Sequence, residues 1–322
     1  MKNRYLTIFV PLLLCAASLV ACSGSLISSP TASPVNVVPV DRETRIPPDA
    51  VKMSPGTDAH PPPMHSSDFE NPVPVPGLVN TAGAEDSPFI TPDGNTLYFF
   101  FTPDVKIPAE KQLLDGVTGI YRSVKVNGEW SEPERITLQD PGILALDGCE
   151  FILGDRMWFC SAREGYDGIH WFTADRLDGV WQNWQNADFA PDFKVGELHF
   201  TSDGSQLYFG SDTPGGKGSL DIWMSKKADG EWQEPVNVAV VNTVDGEGWP
   251  ALSPGGDELW FYRNYGIWRS KKVNGEWQEP ELIISDLAGE PSIDRDGNVY
   301  FVHHFFDNDK MIEADIYVAY RR

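Results

Sequence analysis

A triplet of an apolar residue, an aromatic and a phenylalanine recurs five times: Leu97-Tyr98-Phe99, Met157-Trp158-Phe159, Leu207-Tyr208-Phe209, Leu259-Trp260-Phe261 and Val299-Tyr300-Phe301. The central aromatics stand 60, 50, 52 and 40 residues apart, so the chain is built from repeats. Four triplets follow a glycine turn (Pro92-Asp93-Gly94, Ser202-Asp203-Gly204, Pro254-Gly255-Gly256 and Asp296-Gly297), which marks a tight hairpin. The second follows Gly154-Asp155. A third strand is signalled by Gly119-Ile120-Tyr121, Gly168-Ile169-His170, Asp221-Ile222-Trp223, Gly266-Ile267-Trp268 and Asp315-Ile316-Tyr317. A Gly-x-Trp element then opens a fourth at Trp130, Trp181, Trp232 and Trp277. Four short antiparallel strands per repeat predict an all-β fold, a five-bladed β-propeller over 68–322. The fifth repeat ends at Arg322 without its fourth strand. Its counterpart stands at the front. Phe69-Glu70-Asn71-Pro72 parallels Trp232-Gln233-Glu234-Pro235, and the run Asn80 to Glu85 parallels Asn242 to Glu247. An N-terminal strand is therefore expected to complete the last blade and remove the exposed sheet edges.

The first repeat opens Asp86-Ser87-Pro88-Phe89-Ile90-Thr91-Pro92-Asp93-Gly94: an acid, a proline, then Thr-Pro-Asp-Gly before the apolar-aromatic-Phe strand. This pattern resembles the TolB-type, WD-repeat-like propellers of bacterial envelope proteins, and the likeness covers roughly 69–322. The resemblance implies a propeller at the envelope. It implies little about activity, because one fold hosts binding platforms, parts of assemblies and enzymes.

The N-terminus reads as an address. Lys2 and Arg4 precede the uncharged apolar run Leu6 to Val20, a secretory signal pattern. The run ends Leu19-Val20-Ala21-Cys22, which resembles a bacterial lipobox. Residues 1–21 are then a lipoprotein signal peptide, and Cys22 is the lipidated mature N-terminus. Residues 22–67 are rich in Ser and Pro and lack apolar periodicity, as expected of a disordered tether. The chain is placed extracytoplasmic in the cell envelope, at the outer membrane if the source has one, touching membrane only through its lipid.

Composition narrows the function. With 41% hydrophobic and 12% aromatic residues the chain is not wholly disordered. A net charge of −22 argues against nucleic acid, which needs clustered Lys and Arg. Acids precede the first strand of the repeats: Glu85 and Asp86, Asp147 and Glu150, Glu197, Glu247 and Glu290. First strands of a propeller converge on the central channel, so these carboxylates are expected to meet at one mouth or to cap their own turns. If the chain is an enzyme, Asp86, Glu150, Glu197, Glu247 and Glu290 are its catalytic candidates, paired as in glycosidases. Glu197 and Glu290 are the candidate metal ligands, and Ca²⁺ in the central channel is the cofactor that oxygen ligands would suit. His199 follows Glu197 on the same strand face, and Trp249 follows Glu247, which makes both candidate ligand contacts. Counting outward from a Gly154-Asp155 turn sets Cys149 opposite Cys160, either as a disulfide or as two buried thiols. The function expected is non-catalytic binding of an envelope protein or glycan, with a carbohydrate-active enzyme as the alternative.

Overall fold

In the computed structural model, residues 41–189 and 194–322 are described; residues 1–21, expected to be a signal peptide, and Cys22 lie outside them. Strands form where the repeats predict them. The first repeat folds as Ala84–Ile90, Thr96–Thr102 and Gly119–Val126, with short outer pieces Glu129–Trp130 and Glu134–Arg135. The second is Ala145–Leu153, Arg156–Arg163, Ile169–Leu177 and Val180–Asn186. The third is Leu198–Phe200, Gln206–Ser211 and Asp221–Ala228, edged by Glu231–Trp232 and Val236–Asn237. The fourth is Glu247–Leu252, Glu258–Arg263 and Gly266–Val273, edged by Glu276–Trp277 and Glu281–Ile284. The last is Ala288–Ile293, Val299–Asp307 and Lys310–Ala319. Neighbours within a repeat pair antiparallel. Each repeat's first strand touches the next repeat's, and that of the last touches that of the first. The all-β sheets therefore surround an axis, as in a β-propeller.

Local chemistry explains the hairpins. In the first repeat the Thr91 hydroxyl donates to the Asp93 carboxylate, which also accepts the Asn95 N–H, while Gly94 takes the left-handed φ of +70° that the turn demands. Thr201, Asp203 and Gly204 repeat the arrangement.

Aromatics staple the repeats together. Trp181 meets Tyr98 of the first repeat edge-on at 6.4 Å, Trp277 meets Tyr208 of the third at 6.1 Å, and Trp130 meets Tyr300 of the last at 6.5 Å. An outer-strand aromatic thus leans on the central triplet aromatic of the repeat before it, a contact worth about 0.5–1.5 kcal/mol beyond its area. Phe69 does the same against Trp260 at 5.8 Å. It stands where the Gly-x-Trp tryptophan stands in other repeats. Val73–Pro74 then pairs with Lys310–Ala319, Val73 opposite Val318, so the front of the domain supplies the missing outer strand.

The expected tether differs from its sequence reading. From residue 41 onward it lies against the domain. Arg42 is 3% exposed and ion-pairs with Glu85 at 3.0 Å. Lys52 bonds Glu313 and Asp315, Asp58 bonds His303, and Met64 bridges to Ile284. Arg42, Lys52 and Asp58 pair with groups that the domain buries, and Ile46, Met53 and Met64 pack against its core, too sparsely to give an apolar period.

Candidate functional site

Acids at the start of the first strands fall into two rows, and a β-bulge separates them. Pairing in the first repeat slips between Asp86 and Phe89, in the second between Gly148 and Phe151, in the fourth between Gly248 and Ala251, and in the last between Gly289 and Ser292. The bulged residues Ser87, Cys149, Trp249 and Glu290 have φ of 49–55°, a region non-glycine residues rarely enter. Prolines follow three of them, Pro88, Pro250 and Pro291, which an innermost strand tolerates at a bulge. The bulge re-aims what comes after it.

Before the bulge, the acids are partnered. Glu85 accepts from Arg42 and from the N–H and hydroxyl of Thr81. Burial pushes its carboxyl up to about 7, while Arg42 and Thr81 pull the other way. Glu247 has the same environment: Arg263 at 2.6 Å, with the N–H and hydroxyl of Thr243. Asp147 accepts from Arg163 at 3.0 Å and from Ser161. Each guanidinium also donates to a nearby backbone carbonyl (Val79, Leu138 or Val241) and lies over an aromatic ring. These acids hold the entry loop to the strand. Glu247 is therefore removed from the candidates that share the channel.

Glu290 at the bulge, Glu150 just past it, and Glu197 in the third repeat, where the pairing keeps its register, are not partnered in this way. Glu150, Glu197 and Glu290 line one cavity of about 60 Å³, with Ser87, Cys149, His199 and Trp249. Asp86 stands close enough to raise all three glutamates electrostatically. No lysine or arginine lines the cavity. Glu150 is 6% exposed, and neither carboxyl oxygen has a hydrogen-bond partner; Glu290, 5% exposed, has an unpartnered Oε2. Burial pushes Glu150 up to about 8 and Glu197 up to about 7, with Asp86 adding to both. Burial also drives Glu290 well up, aided by Asp86, Glu197 and Glu150.

His199 lines the same cavity. Burial lowers it to about 4, so it is the neutral imidazole, and its Nδ1–H donates to the Phe200 carbonyl. Its Nε2 is then an acceptor. Trp249 packs edge-on against Tyr262 at 5.3 Å.

Among the described residues no group of three or more His, Cys, Asp or Glu side chains is arranged to hold a metal ion. The Ca²⁺ expected in the channel, and the ligand roles given to Glu197 and Glu290, therefore find no preformed coordination set.

The cysteine register is corrected too. Leu153 faces Arg156 and Ile152 faces Met157, as counted, but the bulge then shifts the strand and Gly148 faces Cys160. Cys149 turns into the cavity lining, and the two thiols are unbridged. Burial, first, and the neighbouring Cys160 thiol push the Cys149 thiol well up.

Sequence reasoning missed the bulge and Ser87. The recurrent proline right after the bulge was the available signal.

No family model matches the chain, and no curated protein matches it. Solved structures do resemble it. TolB from Acinetobacter baumannii is 16% identical over 76% of this chain, with a TM-score of 0.46, and this chain spans only 56% of that one. An endo-arabinase from Bacteroides thetaiotaomicron is 16% identical, covering 77% of this chain and 96% of its own, with a TM-score of 0.47. A gluconolactonase from Xanthomonas campestris is 14% identical, covering 81% and 95%, with a TM-score of 0.45. Likeness this distant carries no activity over to this chain.

Proposed function

We propose that this chain is a lipid-anchored, extracytoplasmic five-bladed propeller that binds an envelope protein or glycan at its channel mouth without turning it over. The blade count rests on the closed succession of first strands. The nine-stranded sheet divides into two blades joined by the single parallel pair Ala84 and Ala314. The observation that carries the binding role is geometric. Glu150, Glu197 and Glu290 meet in one cavity of about 60 Å³, walled by Pro88, Pro250, Pro291 and Trp249. Paired-carboxylate cleavage needs room between the acids for a sugar and its attacking nucleophile. So small a space suits recognition of a polar or cationic group instead.

The test is turnover measured beside capture. The mature chain is incubated with a panel of glycosides and polysaccharides, and immobilised against envelope extract and a glycan array. Retention without turnover is expected. Glycoside cleavage that Glu150→Gln or Glu197→Gln abolishes by orders of magnitude would replace this role with a glycosidase. Cys22→Ser should release the protein from the membrane fraction; unchanged processing and membrane retention would refute the anchor.

A further inference from the structure

We infer that the channel floor takes the head of a primary alkylammonium, a protonated amine on an unbranched chain, between Glu150 and Glu290. This deepens the binding role proposed above and rests on it.

Three observations converge. First, three buried acceptor atoms lack a partner, Oε1 and Oε2 of Glu150 and Oε2 of Glu290. A buried acceptor without a donor is costly, and a native structure keeps one where something else fills the valence. A primary ammonium carries three N–H donors and no acceptor. Second, every titratable group facing the cavity is acidic, neutral or a thiol: Glu150, Glu197 and Glu290, with Asp86 behind them, His199 held neutral, and Cys149. A cation entering there meets only compensating charge, and the chain's net −22 draws it in. Third, the walls beside these acids are apolar: Pro88, Pro250, Pro291 and the Trp249 ring. They suit methylenes behind the charged head, and the indole adds cation–π attraction.

Size and geometry set the class. A cavity of about 60 Å³ admits a head and a slender tail rather than a sugar ring. A metal ion would need several oxygens within about 2.3–2.6 Å of one point, and no such set is present among the described residues. A quaternary ammonium has the charge but no N–H to satisfy the three oxygens. Occupancy would ionise the glutamates, so binding should release protons to solvent.

Calorimetry of the mature full chain with n-butylammonium, tetramethylammonium, 1-butanol and Ca²⁺ as separate probes tests the inference. Repeating the butylammonium titration in buffers of different ionisation enthalpy counts protons. Saturable binding of butylammonium with proton release is expected, while the other three bind at least about tenfold more weakly, as loss of charge-assisted hydrogen bonds implies. Glu150→Gln and Glu290→Gln should each weaken butylammonium about tenfold or more; Glu150 has no partner to lose, and glutamine at 290 keeps an oxygen for Ser87, so both should fold. Putrescine and Nα-acetyl-lysine amide then distinguish a free diamine from a protein lysine as the source. Tetramethylammonium or Ca²⁺ binding as well as butylammonium, or no butylammonium binding at millimolar concentration, would overturn the inference. If the chain still captures an envelope partner or glycan in that last case, the binding role survives and only the ammonium assignment falls.

Discussion

Glu247 and Glu150 are the same residue type, near the start of equivalent strands, yet the fold treats them oppositely. Glu247 lies before the bulge and is fully buried with Arg263 at 2.6 Å and Thr243 on its other oxygen. Glu150 lies beyond the bulge, nearly as buried, with no partner on either oxygen. Burial alone therefore says nothing about the role of an acid here. The partnered row stabilises the domain; the unpartnered row spends stability to keep open valences in the channel, a pattern associated with functional sites.

The sharpest way to break the comparison is to strip the partnered row of its cations. Truncation to residue 60 removes Arg42, Lys52 and Asp58 together, leaving Glu85, Glu313 and Asp315 buried without a cation. Loss of at least about 5 kcal/mol is expected in urea unfolding, since one orphaned buried charge costs about 3–5 kcal/mol. Unchanged unfolding would mean the segment is only a tether. Arg263→Ala orphans Glu247 alone and should cost about 3–5 kcal/mol on the same measure.

Glu150→Gln should act in the opposite direction, and only in part of the pH range. The folded chain holds a proton on Glu150 that the unfolded chain releases above about 4.5. This contribution to stability is complete below that value and is lost as pH rises toward about 8. Wild type should therefore lose about 3 kcal/mol relative to Glu150→Gln between pH 5 and pH 8. Parallel pH profiles for the two proteins would show that Glu150 is solvated.

The smallest effect concerns the hydroxyls. Thr243→Val removes one donor to Glu247 and should cost about 1 kcal/mol, and Thr81→Val should match it at Glu85. Equal costs would confirm that the two sites are copies of one device.

Much of this was legible in sequence. The triplets, the Asp-Gly turns and the parallel between Phe69 and Trp232 placed the strands and the closing strand, because strand alternation and hairpin chemistry are local. The convergence of Asp86, Glu150, Glu197 and Glu290 followed from the repeat geometry. The separation of Glu247 from them did not, because it depends on a bulge whose left-handed residues are ordinary side chains such as Ser87, Cys149 and Trp249. The same bulge defeated the count that set Cys149 opposite Cys160. Nor could composition show that Arg42 and Lys52 are anchored, since their partners Glu85, Glu313 and Asp315 are distant in sequence and no apolar pattern marks the contact.

The most direct test of the unpartnered row is the carboxyl carbon-13 spectrum of ¹³C-glutamate-labelled protein at pH 6, assigned with Glu150→Gln and Glu290→Gln. The account predicts that Glu150 and Glu290 give protonated carboxylic acid signals. Carboxylate signals from both at pH 6 would contradict it.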